Sequence, residues 1–443
     1  MAGNDDAFGF VLASARRTLG QVRVDARVAK PAPGRGAALA DHVQHMIGII
    51  ETRIDAAAAS YPAVHLPAAQ DAVIRNLWLY TQLARALHES LPWLDRPSGG
   101  TLDLGTSYFI DEMALAIVGT GVETVAVPSP TYMYSTLSWP FRLTALQHLK
   151  VDVATGTRPI VLFFPLKESD SVLFHAVFAH ELGHAAVDEH KLVDAVLTPI
   201  QADPTFLASL AQAAAFFQAT FGLDATAAER VARARLAGWT EELLCDAVAL
   251  HYLGPSYLFG FTGFVLASNW TDPQPTHPPP TLRVGLLMEQ LTTLGWDVWL
   301  QAARPDLWAW FEWVRATLLP PMSPDNEFLR DVANERSDAI RATAQARVGG
   351  ATYVPATFAP HETDLAALLQ RRILPAELAG APVDRRNILL AGWMYSLVSN
   401  PDGTPRVDAP AALSDALTEI GLQRFIAKAL ELSTVAETWS ELP

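Results

Sequence analysis

The chain has 443 residues, of which 50% are hydrophobic and 18% charged, and a formal net charge of −15 at pH 7. That length allows a large core and roughly two to three domains. The acidic balance argues against a general nucleic-acid binder, and one cysteine, Cys245, excludes an internal disulfide.

A chain this apolar is expected to have a large core or an oligomeric surface, so a homo-oligomer is one expected state. Membrane insertion is not expected. The most apolar stretch, residues 257–270, is shorter than the roughly 20 residues a spanning helix needs, and His251 and Gly254-Pro255 interrupt the run before it. At the start, Asp5 and Asp6 precede the short apolar run 8–13, and Arg16-Arg17 follow it. This reverses the charge order of a secretory signal and points to a cytoplasmic chain. The mildly basic residues 16–35 read as a solvated N-terminal arm.

In chain order, residues 38–93 are expected to be helical, because Val43, Met46, Ile47, Ile50 and Ile54 recur at three- and four-residue steps. Val73, Leu77, Leu83 and Leu87 follow the same pattern more loosely, and residues 96–100 break it. A strand-rich stretch follows, with β-branched alternation over 122–127 and an apolar run, 159–165, bounded by prolines. Asp170 or Ser171 is placed to cap a helix over the next segment. From there to about residue 318 the pattern is helical except for a proline-rich loop, 271–280. A second boundary is expected at 320–324, and residues 328–346, 365–369 and 413–432 read as helices again. The expected architecture is mainly α (α+β): a helical N-terminal region over 1–98, a central domain over 99–319 with a small sheet packed on its active-site helix, and a helical C-terminal region over 320–443.

The central segment contains His180-Glu181-Leu182-Gly183-His184. Two histidines four apart on a helix share one face, so both imidazoles can reach one ion at about 2.0–2.1 Å. Glu181, directly after the first histidine, projects beside that face, where a general base for a metal-activated water is needed. Gly183 and Ala185-Ala186 are small, as expected where a helix is crowded. A helix with two surface histidines and a salt-bridging glutamate is the bland alternative.

A catalytic zinc usually takes three protein ligands plus water. His190 stands at the ligand spacing of the metzincin peptidases, but that pattern has a glycine where this chain has Val187, and valine resists the sharp turn. Glu242 and Asp246, four apart in another helical pattern, form the better set. Glu242 can complete a His-His-Glu site, and Asp246 can accept the far N–H of a ligand histidine. Glu241 is the fallback ligand.

These residues resemble the gluzincin peptidases, and among them the CAAX prenyl-protein proteases and HtpX-like heat-shock proteases. His277-Pro278-Pro279-Pro280-Thr281-Leu282-Arg283 is similar to a segment that follows the third ligand in that family. The resemblance covers residues 175–283, about a quarter of the chain. It implies that His180, His184 and Glu242 bind Zn2+, that Glu181 is the base, that Asp246 orients a ligand histidine, that His277 donates to the oxyanion and that Arg283 braces the site. The best-known members are integral membrane enzymes, so their substrates do not carry over.

The expected function is a soluble zinc-dependent endopeptidase acting on a protein or peptide substrate. The alternatives are a zinc hydrolase for a non-peptide amide and a regulatory scaffold whose zinc site does not turn over. Of the remaining residues, His175 and Cys245 read as packing. Strand 160–164 reads equally as a cleft rim that binds substrate backbone and as an ordinary core strand. His251, Tyr252 and Tyr257 are candidates for the cleft lining.

Overall fold

The structure is a computed structural model that describes residues 2–29, 36–92, 102–138, 156–268, 277–318, 327–370, 373–375, 377–378, 381–396 and 419–440. The elements in order are helices α1 (Ala2–Val28), α2 (Ala37–Ser60), α3 (Pro67–Ser90) and α4 (Leu104–Ile117), strands β1 (Val122–Ser129), β2 (Ser135–Ser138) and β3 (Arg158–Pro165), then helices α5 (Phe178–His190), α6 (Leu192–Leu197), α7 (Pro204–Phe221), α8 (Ala225–Leu253), α9 (Pro255–Ser268), α10 (Pro280–Thr293), α11 (Trp296–Ala303), α12 (Pro305–Trp313), α13 (Glu327–Val348), α14 (Pro355–Phe358), α15 (Glu362–Gln370), α16 (Arg385–Ser396) and α17 (Glu419–Ser440). The fold is mainly α, with a small three-stranded sheet in the order β1-β3-β2. Strand β3 is central, with a neighbour on each side, as an ordinary core strand would be. Among the described residues, no single helix is long and apolar enough to cross a membrane.

The chain forms two compact units. The first comprises residues 1–102, 121–128 and 137–163. Its core joins Leu19 and Val22 of α1, Leu39 and Ile50 of α2, and Leu77 and Leu83 of α3 to Val125, Val127 and Val161 from the strands. The α2 face expected from periodicity, Val43 to Ile54, is buried. The expected solvated arm is instead a helix through Val28. Ala15, Leu19, Val22 and Ala26 recur at three- and four-residue steps and bury one face. Its arginines lie on the outside, with Arg16 paired to Asp55 at 3.1 Å and Arg23 paired to Glu51. Residues 30–35 lie outside the described residues, as do the expected breaks at 96–100 and 320–324.

The second unit comprises residues 103–120, 129–136 and 164–443. A boundary near residue 320 therefore does not separate compact units, because the C-terminal helices fold with the central segment. Arg347 donates to the Ile117 carbonyl at 2.6 Å, and the Gln423 side chain accepts from Leu173 N at 2.9 Å. Arg385 bridges Glu112 of α4 and Glu437 of α17. Helices α4 and α17 touch backbone to backbone at Gly105, where a Cβ would lie 2.0 Å from the Ala427 oxygen.

Candidate metal centre

Helix α5 starts at Phe178, after a 3₁₀ turn over Phe174–Val177, and no side chain caps it. The expected cap at Asp170 or Ser171 thus falls before the turn. Helix α5 then runs unbroken through Val187 to His190 and stops where Lys191 adopts a left-handed conformation, φ 53°. Because no turn occurs at Val187, His190 rotates away and contacts the Val118 carbonyl at 3.1 Å. It does not join the other two histidines.

Helix α8 lies against α5. Their contact centres on Gly183, where a Cβ would stand 2.9 Å from the Cys245 Cα and 3.0 Å from its Cβ. The glycine between the two histidines therefore faces the residue between Glu242 and Asp246. That close approach brings ligands from both helices to one point.

His180, His184 and Glu242 each offer a ligand atom, and all three atoms lie within 4.8 Å of one another. His180 Nε2 is 3.4 Å from Glu242 Oε2, and His184 Nε2 is 3.5 Å from Oε1. These separations exceed the roughly 2.7–3.2 Å of a good hydrogen bond. They suit a shared ion better, because two ligands about 2.0–2.1 Å from a tetrahedral zinc stand about 3.3–3.4 Å apart. Glu242 Oε2 is buried and has no hydrogen-bond partner among the described residues. Two imidazoles and one carboxylate, with one carboxylate oxygen near each Nε2, fit a zinc ion.

The far edge of each imidazole is held by a carboxylate. His180 Nδ1 lies 2.9 Å from Asp246 Oδ1, and His184 Nδ1 lies 2.9 Å from Glu241 Oε1. These partners favour the Nδ1–H tautomer, which would leave each Nε2 lone pair for the ion once zinc displaces the second proton. Burial alone would depress His180, but the contacts with Asp246 and Glu242 outweigh it and raise its pKa to about 9. Burial likewise opposes ionisation of Glu242, yet His180 and Arg283 draw its pKa down to about 2. Burial pushes the Glu181 carboxyl up, against the neighbouring His180 and His184.

Arg283, in the first turn of α10, donates to both oxygens of Asp246, Nε to Oδ2 at 2.7 Å and Nη2 to Oδ1 at 2.6 Å. Its Nη1 is 3.3 Å from Glu242 Oε2, and its guanidinium stacks 4.4 Å from the Phe261 ring centre. His277, just before α10, has Nε2 3.2 Å from Glu242 Oε1 and a side chain 34% exposed. It reaches the ligand carboxylate but lies outside the three-ligand cluster.

Two contacts here escape sequence reasoning. Glu241, weighed above only as a ligand, instead holds His184. Tyr257 donates to Asp246, and its hydroxyl is 3.3 Å from His180 Nδ1. Nothing in its spacing points there, because the helix breaks between α8 and α9 at Gly254, φ 57°, and Pro255. The same reading that pairs Asp246 with one histidine offers Glu241 to the other, so that signal was present in the sequence. His175 is buried against Phe178, and Cys245 is a buried free thiol. His251 and Tyr252 are buried, and Tyr252 donates to Glu112 at 3.2 Å, so neither lines a cleft. Compared with protein families, curated proteins and solved structures, the chain matches none.

Proposed function

We propose that the chain is a zinc-dependent endopeptidase of the gluzincin type, acting in the cytoplasm on a protein or peptide substrate. One observation carries this reading. Three ligand atoms converge from two helices, each imidazole is anchored by a carboxylate, and a buried glutamate stands next to the first histidine.

His180, His184 and Glu242 would hold the ion and leave a fourth position open, the arrangement of catalytic rather than structural zinc sites. Zinc, when bound, lowers the pKa of a water to about 7 and polarises a carbonyl. Glu181 takes the proton of the attacking water. Its burial makes it a stronger base than an exposed carboxylate, and it then delivers that proton to the leaving amine. Asp246 and Glu241 fix the two imidazoles, and Arg283 balances the buried charge of Asp246 and Glu242. His277 is a partly exposed donor at the open side, suited to the oxygen on which charge develops.

The test uses Glu181→Gln, which should retain stoichiometric zinc by metal analysis and abolish turnover. N-terminal proteomics of cells expressing wild type should reveal new protein termini that the variant lacks. Glu242→Ala should lose most of the zinc, whereas His190→Ala should keep it. Purified wild type without stoichiometric zinc would end this reading. Identical termini in wild-type and variant cells would favour a zinc site without turnover.

A further inference from the structure

We infer that Tyr257 is a positioning residue of the metal site, its hydroxyl holding Asp246 against His180 so that His180 Nε2 keeps its aim at the ion. This inference rests on the zinc reading and deepens it.

Asp246 is a contested carboxylate. Arg283 grips both of its oxygens, at 2.7 Å and 2.6 Å. A bidentate guanidinium fixes the plane of the carboxylate it holds, and the Nη2 that binds Oδ1 also lies 3.4 Å from His180 Nδ1. Tyr257 approaches the same pair of atoms as a second donor. Its hydroxyl donates to Oδ1, the oxygen that lies 2.9 Å from His180 Nδ1, and stands 3.3 Å from that nitrogen itself. The phenol and imidazole planes are 3° apart. The hydroxyl therefore closes a triangle with the histidine and the carboxylate, and Arg283 Nη2 closes a second one on the same two atoms.

The other ligand histidine has no such lock. His184 relies on Glu241 alone, whose side chain is 43% exposed, against 2% for Asp246. The site thus has one fixed imidazole and one adjustable imidazole. Removing the Tyr257 hydroxyl would take away one of the donors that hold Asp246 Oδ1 beside His180 and loosen that imidazole. Tyr257→Phe leaves no orphaned acceptor, because Asp246 Oδ1 keeps Arg283 and His180, so the variant is expected to fold.

The experiment measures zinc affinity and the visible absorption of the cobalt(II)-substituted protein for wild type, Tyr257→Phe and Tyr353→Phe. Tyr353 is the control: it is equally buried, and its hydroxyl donates to Asn387 at 2.6 Å, in the same unit but outside the site. Loss of a partner that orients a ligand histidine weakens metal binding about 10- to 100-fold. Tyr257 acts one contact further out, so the zinc Kd should rise about tenfold, with altered cobalt ligand-field bands. Tyr353→Phe should leave both unchanged, and near-UV circular dichroism should show that all three proteins are folded. A wild-type Kd and cobalt spectrum for Tyr257→Phe would overturn the inference, as would an equal shift in Tyr353→Phe. Failure of the wild type to take up either metal would overturn the zinc reading and this inference with it.

Discussion

Glycine in a helix interior costs about 1 kcal/mol relative to alanine, so Gly183 in α5 needs a compensating reason. The reason is the approach of α8: an added methyl would sit 2.9 Å from a backbone carbon, Cys245 Cα, which no rotamer change can move aside. Gly183→Ala should therefore destabilise the protein by about 1–3 kcal/mol in denaturant titrations, the range for overpacking, despite its better helix propensity. It should also lower zinc occupancy, because α5 and α8 carry different ligands. A stability equal to or above wild type would mean that the helices can part freely. The shared face of His180 and His184, and that of Glu242 and Asp246, are legible in the sequence because four-residue spacing puts side chains on one side of a helix; that the two helices meet is not. Arg283 and His277 come forward only through resemblance to a family. The contact of Tyr257 with Asp246 is not legible, since a helix break falls within the eleven residues between them.

The contact between α4 and α17 shows how far sequence patterns reach at the scale of elements. Most of α17 is expected from the pattern over 413–432, whereas the helix Leu104–Ile117 falls where a strand-rich stretch is expected, and nothing in either segment says that residue 105 must lie against residue 427. Residues 122–127 and 159–165 read correctly as strands because β-branched alternation and flanking prolines are local signals. Residues 16–28 of α1 read as part of an arm because two of the four residues on the buried stripe are alanines, Ala15 and Ala26, and basic residues dominate the composition between them. The expected boundary at 320 fails for a related reason: the bonds that join the C-terminal helices to the rest, such as Arg385 to Glu112, span hundreds of residues. Gly105 is a direct test of this joint. A methyl there would overlap the Ala427 backbone oxygen at 2.0 Å, so Gly105→Ala should push α17 off α4. Stability should fall by about 3 kcal/mol, the upper end for overpacking, and amide exchange over 419–440 should accelerate sharply. Unchanged protection in that helix would show that the joint tolerates a wider spacing.

Across the whole molecule, buried neutral histidines make stability depend on pH. His251 is 1% exposed, and neither of its ring nitrogens has a hydrogen-bond partner among the described residues. Burial first, and the charge of Arg341 second, lower its pKa to about 4. His175, packed among Tyr134, Phe164 and Phe178, is lowered by burial to about 3. In the unfolded chain both should titrate near the ordinary value of about 6.5. Above that pH neither form binds the proton, and their contribution to stability is fully present. As pH falls below about 6.5, the unfolded chain takes up protons that the folded one refuses, so each histidine removes up to about 1.4 kcal/mol per pH unit until its folded pKa is reached. Other buried groups also have shifted pKa values, so the informative quantity is a difference between proteins. His251→Leu replaces an unsatisfied polar ring with an apolar side chain of similar size, a change that is neutral or stabilising when no partner is orphaned. It should match or exceed wild-type stability at pH 8, and its advantage should grow by roughly 1 kcal/mol or more between pH 7 and pH 5. Urea melts at those three pH values give the answer. A constant difference across them would mean that His251 is protonated in the folded state and that Arg341 does not restrain it.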